Sequence, residues 1–156
     1  MGREIRGTVY LDASALAKLY LPEPESDELD RVLVGRRDLL VSDLAITEIV
    51  SAVARRRREG GLEARAARRL YRRLLDDREA GYYQRLALTP GAHREAERLL
   101  LLRQGISLRA ADALHLAMAL LAETRTIATF DQRMRGAADS VGLDVLPAFP
   151  GSSASL

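Results

Sequence analysis

Thr8-Val9-Tyr10-Leu11-Asp12-Ala13-Ser14-Ala15-Leu16-Ala17-Lys18-Leu19-Tyr20 is the stretch whose reading decides the fold. Its first four residues are β-prone, and the alanine- and leucine-rich run after Asp12 has helical composition that Pro22 and Pro24 close. The segment therefore predicts a strand feeding directly into a helix. Asp12 stands at the junction, an acid with apolar neighbours on both sides.

The same alternation repeats along the chain. Helical spacing over 26–34 ends at Gly35, and Leu39-Leu40-Val41 predicts a second strand, with Ser42 as N-cap of a helix over 44–58. Gly60-Gly61 stops that helix, and a second arginine-rich helix over 62–80 completes a helical hairpin before Gly81. A third strand is expected at 86–88. Thr89-Pro90 then opens a helix ending near Gly105, and Ser107 is the expected cap of a helix over 109–123. Thr126 to Thr129 predicts a fourth strand, 132–138 a short helix and 143–146 a fifth strand. Strands alternating with helices predict an α/β domain: a central parallel sheet of four to five short strands between two helical layers. Such sheets bind ligands beyond the carboxyl ends of their strands. One domain is expected over 1–148, followed by a Pro/Gly/Ser-containing tail, 149–156, expected to be disordered.

With 156 residues the chain can bury a real core without disulfides or a structural metal. It has no cysteine, which excludes disulfides, thiolate zinc sites and cysteine nucleophiles and points to the cytoplasm. The charged start, with Arg3, Glu4 and Arg6, does not read as a signal peptide. The longest apolar run, 113–122, is broken by His115 and is far shorter than the roughly 20 residues a membrane span needs, so no membrane association is expected.

Most of the 22 acidic residues lie among charged neighbours, but four interrupt segments that otherwise read as protein interior. Asp12 follows Val9-Tyr10-Leu11. Glu48 lies in Leu44-Ala45-Ile46-Thr47-Glu48-Ile49-Val50, Asp112 in Ala110-Ala111-Asp112-Ala113-Leu114, and Asp131 follows Ile127-Ala128-Thr129-Phe130. A buried unpaired carboxylate is strongly disfavoured, so each needs a cation, donors or a water-filled cleft. Asp12 and Asp131 come just past predicted strands, and Glu48 and Asp112 fall early in helices that begin beside the same sheet edge. Converging carboxylates repel one another, and a hard divalent cation, Mg²⁺ or Mn²⁺, is the natural counter-charge for oxygen ligands. Asp43 and Asp144 also have apolar neighbours. They are explained by a helix N-terminus and by a surface strand respectively, and stay outside the site. His115, three residues after Asp112 on the same helical side, is expected to be a packed histidine bonded to a carbonyl.

The cations are almost all arginine, Lys18 being the single lysine, and the sequence pI is about 9.3 despite a net charge of +2. Residues 55–78 hold ten arginines against four acids, a local excess of six positive charges. Arg55, Arg56, Arg57 and Arg58, with Arg65, Arg68, Arg69, Arg72 and Arg73, are therefore candidates for binding a phosphate backbone, with a solvated helical face as the alternative. Aromatic content is only 4%, so base stacking is not expected to drive recognition.

The motifs Tyr10-Leu11-Asp12-Ala13-Ser14, Thr47-Glu48, Ala111-Asp112-Ala113-Leu114-His115-Leu116-Ala117 and Thr129-Phe130-Asp131 together resemble the PIN-domain family over nearly the whole chain, in particular its VapC-type toxin ribonucleases. The resemblance implies a PIN-like α/β/α fold and an endoribonuclease in which Asp12, Glu48, Asp112 and Asp131 ligate Mg²⁺, with Mn²⁺ able to substitute. It further implies that the hydroxyls of Ser14 and Thr129 support substrate or metal-bound water. It implies as partners an RNA substrate, a VapB-like antitoxin and a second copy of the chain in a homodimer. Two other classes remain to be weighed. A phosphoaspartyl phosphotransfer domain would want a downstream lysine, whereas the single lysine is Lys18 in the first helix, and a second aspartate two residues after Asp12, where Ser14 stands instead. A non-catalytic nucleic-acid-binding module would account for the arginines but not for the acids.

Overall fold

The computed structural model describes residues 5, 7–21, 24–102, 105 and 107–148. The expected disordered tail, 149–156, lies outside the described residues, as do Pro22 and the N-terminal residues 1–4. The elements are β1 (Val9–Leu11), α1 (Ala13–Tyr20), α2 (Ser26–Leu33), β2 (Leu39–Ser42), α3 (Asp43–Arg58), α4 (Ala64–Glu79), β3 (Gln84–Leu86), α5 (Pro90–Leu102), α6 (Ala110–Leu121), β4 (Thr126–Ala128), α7 (Gln132–Ser140) and β5 (Asp144–Leu146).

All five strands are parallel, in the order β3-β2-β1-β4-β5. β1 is central: Leu11 pairs with Val41 on one side and Ala128 on the other. The chain builds outward from β1 through β2 to β3, then returns to the other side for β4 and β5. The strand order thus reverses at β1, and the crevice at its carboxyl end is where such sheets hold ligands.

Period-two alternation divides the core. Val9 and Leu11 of β1, with Leu39 and Val41 of β2, face a cluster containing Leu16, Leu29, Ile49 and Leu74 from α1, α2, α3 and α4. Tyr10 and Leu40 face the other side, against Ala96, Leu99, Leu116, Ala117 and Met134 of α5, α6 and α7. Three layers result, as the strand–helix alternation predicted. Among the described residues no helix is long and apolar enough to cross a membrane.

Two boundaries differ from expectation for physical reasons. The third strand is Gln84–Leu86 rather than 86–88. It is an edge strand whose first two residues are exposed, so its ladder is made by polar residues, and the apolar Leu86 and Leu88 instead mark where the chain packs against the core. The cap of α6 is Arg109, not Ser107, because the Asp112 carboxylate reaches back to accept the Arg109 backbone N–H at 3.2 Å. Ser42 caps α3 as expected, accepting the Ala45 N–H at 3.1 Å.

Candidate active site

The sheet geometry brings three helix N-termini to one edge, and each carries an acid. Asp12 caps α1, its Oδ1 accepting the Ala15 N–H at 2.9 Å. Asp131 caps α7, accepting the N–H groups of Arg133 at 2.8 Å and Met134 at 3.1 Å. Asp112 sits in the first turn of α6 and Glu48 in the second turn of α3. Free N–H groups and the positive helix end stabilise carboxylates there, so three of the four acids also have a local structural task.

Hydrogen bonds tie the sites together. Ser14 donates to Asp12 Oδ1 at 2.7 Å and accepts the Phe130 N–H at 2.8 Å. The Ser14 and Thr129 hydroxyls meet at 3.3 Å, and Thr129 accepts the Asp131 N–H at 3.2 Å. Ser14 and Thr129 therefore stand between Asp12 and Asp131. Asp12 is only 4% exposed, and burial raises its carboxyl above the ordinary range, while His115 and the hydrogen bonds from Thr129, Ala15 and Ser14 pull the other way. Among the described residues no buried side-chain polar atom lacks a partner.

The acids also have side-chain partners, Arg133 and His115, whose pairings the sequence did not announce. Arg133 bridges Asp112 at 3.0 Å and Asp131 at 3.6 Å. His115 is buried, but its partners are not a backbone carbonyl: Nδ1 lies 2.7 Å from the Tyr10 hydroxyl and Nε2 2.7 Å from Glu48 Oε2. The expectation of a merely packed histidine is thus corrected. The only available signal was its place three residues after Asp112, which fixes a helix face but not a partner from another helix.

The donor set suits a hard divalent cation: four carboxylates, neighbouring hydroxyls, no thiol, and a histidine whose two nitrogens are both engaged. Among the described residues no three acids or histidines form a ready-made ligand sphere. The acids stand instead in two parts, Glu48 against His115 and Asp112 with Asp131 against Arg133.

Other candidates fall elsewhere. Asp43 pairs with Arg85 in the first turn of α3, and Asp144 is exposed on β5, so neither belongs to the site. Lys18 donates to the Pro24 carbonyl and lies over the Phe130 ring, which does not suit a phosphoaspartyl role beside Asp12. The arginines of α3 and α4 are mostly exposed, but they are not all alike. Arg73 faces Asp77 at 3.7 Å and the Tyr20 ring, while Arg57, Arg68 and Arg72 rim an open apolar cleft of about 420 Å³ floored by Val53, Leu70 and Leu75.

The sequence profile of the PIN domain matches residues 9–140. The chain belongs to the PIN-domain family. This PIN domain is 36% identical over 143 residues to Ribonuclease VapC46 of Mycobacterium tuberculosis, spanning 88% of this chain and 95% of that protein, which makes it VapC-like. Among solved structures it is similar to FitAcB from Neisseria gonorrhoeae, with a TM-score of 0.71 and 20% identity over 90% of this chain and 97% of that one. It is also similar to a toxin–antitoxin complex from Klebsiella pneumoniae, with a TM-score of 0.54 and 18% identity over 80% of this chain and 87% of that one. At these identities the two structures bear on the fold alone.

Arg133 offers a direct check of the acidic edge. Arg133→Gln is expected to destabilise the metal-free protein by about 1–3 kcal/mol, because Asp112, with its side chain 13% exposed, loses its cation. Added Mg²⁺ should then raise the melting temperature more than in the wild type, since no guanidinium competes for the acids. Thermal melts in EDTA and in Mg²⁺ measure both, and an equal or smaller Mg²⁺ response would show that Arg133 does not compete with an ion.

Proposed function

We propose that this PIN domain is a Mg²⁺-dependent endoribonuclease, the toxin of a VapBC-like type II toxin–antitoxin pair. The observation that carries the reading is that Asp12, Asp112 and Asp131 each stand at the start of a helix, with Ser14 and Thr129 linking Asp12 to Asp131 and Arg133 linking Asp112 to Asp131, in a chain 36% identical to a named ribonuclease. Asp12, Glu48, Asp112 and Asp131 would hold the cation, with Mn²⁺ able to serve in its place. When bound, the ion supplies Lewis-acid polarisation of a phosphodiester oxygen and strengthens water as a nucleophile.

The chain's own residues do the rest. Ser14 and Thr129 fix Asp12 and the start of α7 in register, so that the carboxylates keep their places as charge changes around them. An acidic edge repels a phosphate backbone, and the arginines ending α3 and lining α4 offset that repulsion. Arg55 to Arg58 lie roughly 10–15 Å along the helix axis from Glu48, within reach of the same RNA strand. The apolar cleft rimmed by Arg57, Arg68 and Arg72 has the chemistry to accept an acidic amphipathic segment, which supports an antitoxin as partner. Pairing of two copies and work in the cytoplasm follow from the family resemblance and the absence of cysteine.

Purified protein is expected to cleave RNA with Mg²⁺ or Mn²⁺, to stop in EDTA and to resume when the metal is returned. Cleavage that persists in chelator would remove the metal from the mechanism. Replacing Arg65, Arg68, Arg69 and Arg72 together by glutamine should weaken RNA binding and reduce its salt slope by up to about 0.7 per lost phosphate contact. An unchanged slope in a binding titration at several salt concentrations would assign those arginines to a protein partner instead.

A further inference from the structure

Glu48 is held differently from the other three acids. Asp12, Asp112 and Asp131 each accept backbone N–H groups at the start of their own helices. Glu48 lies in the second turn of α3, where the N–H groups are already used within the helix, and its side chain is 35% exposed. A glutamate so placed has three side-chain torsions to restrict before its carboxylate points anywhere in particular.

His115 supplies the restriction. Its side chain is 4% exposed, and its Nε2 meets Glu48 Oε2 at 2.7 Å. An ionised carboxylate can only accept, so Nε2 carries a proton there. Its Nδ1 meets the Tyr10 hydroxyl at 2.7 Å, and that hydroxyl shares a hydrogen bond of 2.8 Å with the Ser42 hydroxyl. Ser42 in turn caps α3, the helix that bears Glu48. The relay therefore begins and ends at α3 and passes through β1 and α6. The Tyr10 and His115 rings also meet edge to face, with centroids 5.8 Å apart and planes at 70°. A ring gripped at both nitrogens and on one edge has no freedom to turn, so the N–H it offers Glu48 points in a fixed direction.

We infer that His115 is a positioning residue that aims the Glu48 carboxylate at the acidic edge, with the Tyr10 hydroxyl locking the imidazole. The inference rests on the reading of the four acids as a cation site. His115 does not ligate the cation, since both nitrogens are engaged. It acts through Glu48, and its loss weakens cation binding only while Glu48 is present to be aimed.

Calorimetric titration of Mg²⁺ into the full chain tests this. His115→Leu is expected to bind Mg²⁺ on the order of 10–100-fold more weakly than the wild type. His115→Gln, whose amide nitrogen reaches the place of Nε2, should remain within about 3-fold of wild type. Tyr10→Phe, which keeps the ring and removes only the hydroxyl, should lose about 3- to 10-fold. In a Glu48→Gln background, His115→Leu should change Mg²⁺ affinity no further. A histidine that only packs would leave Mg²⁺ affinity unchanged, or weaken it equally with and without Glu48, and either result overturns the inference. Should His115→Leu fail to fold, wild-type affinity in Tyr10→Phe overturns it just as well. A wild type that binds no Mg²⁺ overturns the cation site and this inference together, whereas binding that is indifferent to the variants overturns this inference alone.

Discussion

The structure depends on an acid that burial opposes. Asp12 ends the central strand and is almost wholly enclosed, and removal from water raises its carboxyl above the ordinary range. It is tolerated because α1 begins at once, offering the Ala15 N–H, and because the Ser14 and Thr129 hydroxyls close around it. Those partners come from α1 and the end of β4, so the order of the strands and the survival of the acid are one problem. A sheet with β4 elsewhere would leave Asp12 without Thr129 and without the chain that carries Asp131.

The same solution is repeated around the edge. A strand running to the carboxyl side hands over to a helix, and the positive start of that helix stabilises a carboxylate. It is used at α1 and α7, while α6, which follows α5 rather than a strand, holds Asp112 in its first turn, and together they concentrate negative charge at one edge. The protein answers with partners of its own, the Arg133 guanidinium between Asp112 and Asp131 and the His115 ring against Glu48. Both lie on helices already committed to the crevice, so neither adds a new element to the fold. In the proposed enzyme these two residues have different fates: Arg133 competes with a divalent ion for two carboxylates, while His115 orients a third.

Much of this was legible in the sequence. Asp12 after Val9-Tyr10-Leu11 and Asp131 after the fourth strand located the sheet edge, because an acid directly beyond an apolar run has few places to go. The helical hairpin over α3 and α4 was legible from its glycines. What escaped depended on partners distant in sequence. Arg133 looks like any exposed helix residue until α6 is placed beside α7, and the bond from His115 to Glu48 spans 67 positions. The third strand was displaced because apolar content marks packing, whereas an edge ladder needs only backbone. The α6 cap was displaced because a serine is the commoner cap, and an acid in the first turn did the work from inside the helix instead.

The most direct measurement is the response of Asp12→Asn to Mg²⁺. Asparagine keeps the shape and can still cap α1, but it removes the charge that burial disfavours, so the metal-free protein should be at least as stable as the wild type. The account predicts that Mg²⁺ raises the melting temperature of the wild type and not of Asp12→Asn, and that the variant no longer cuts RNA. An Asp12→Asn protein that is destabilised without metal, gains the same stability from Mg²⁺ as the wild type and still cleaves RNA would contradict it.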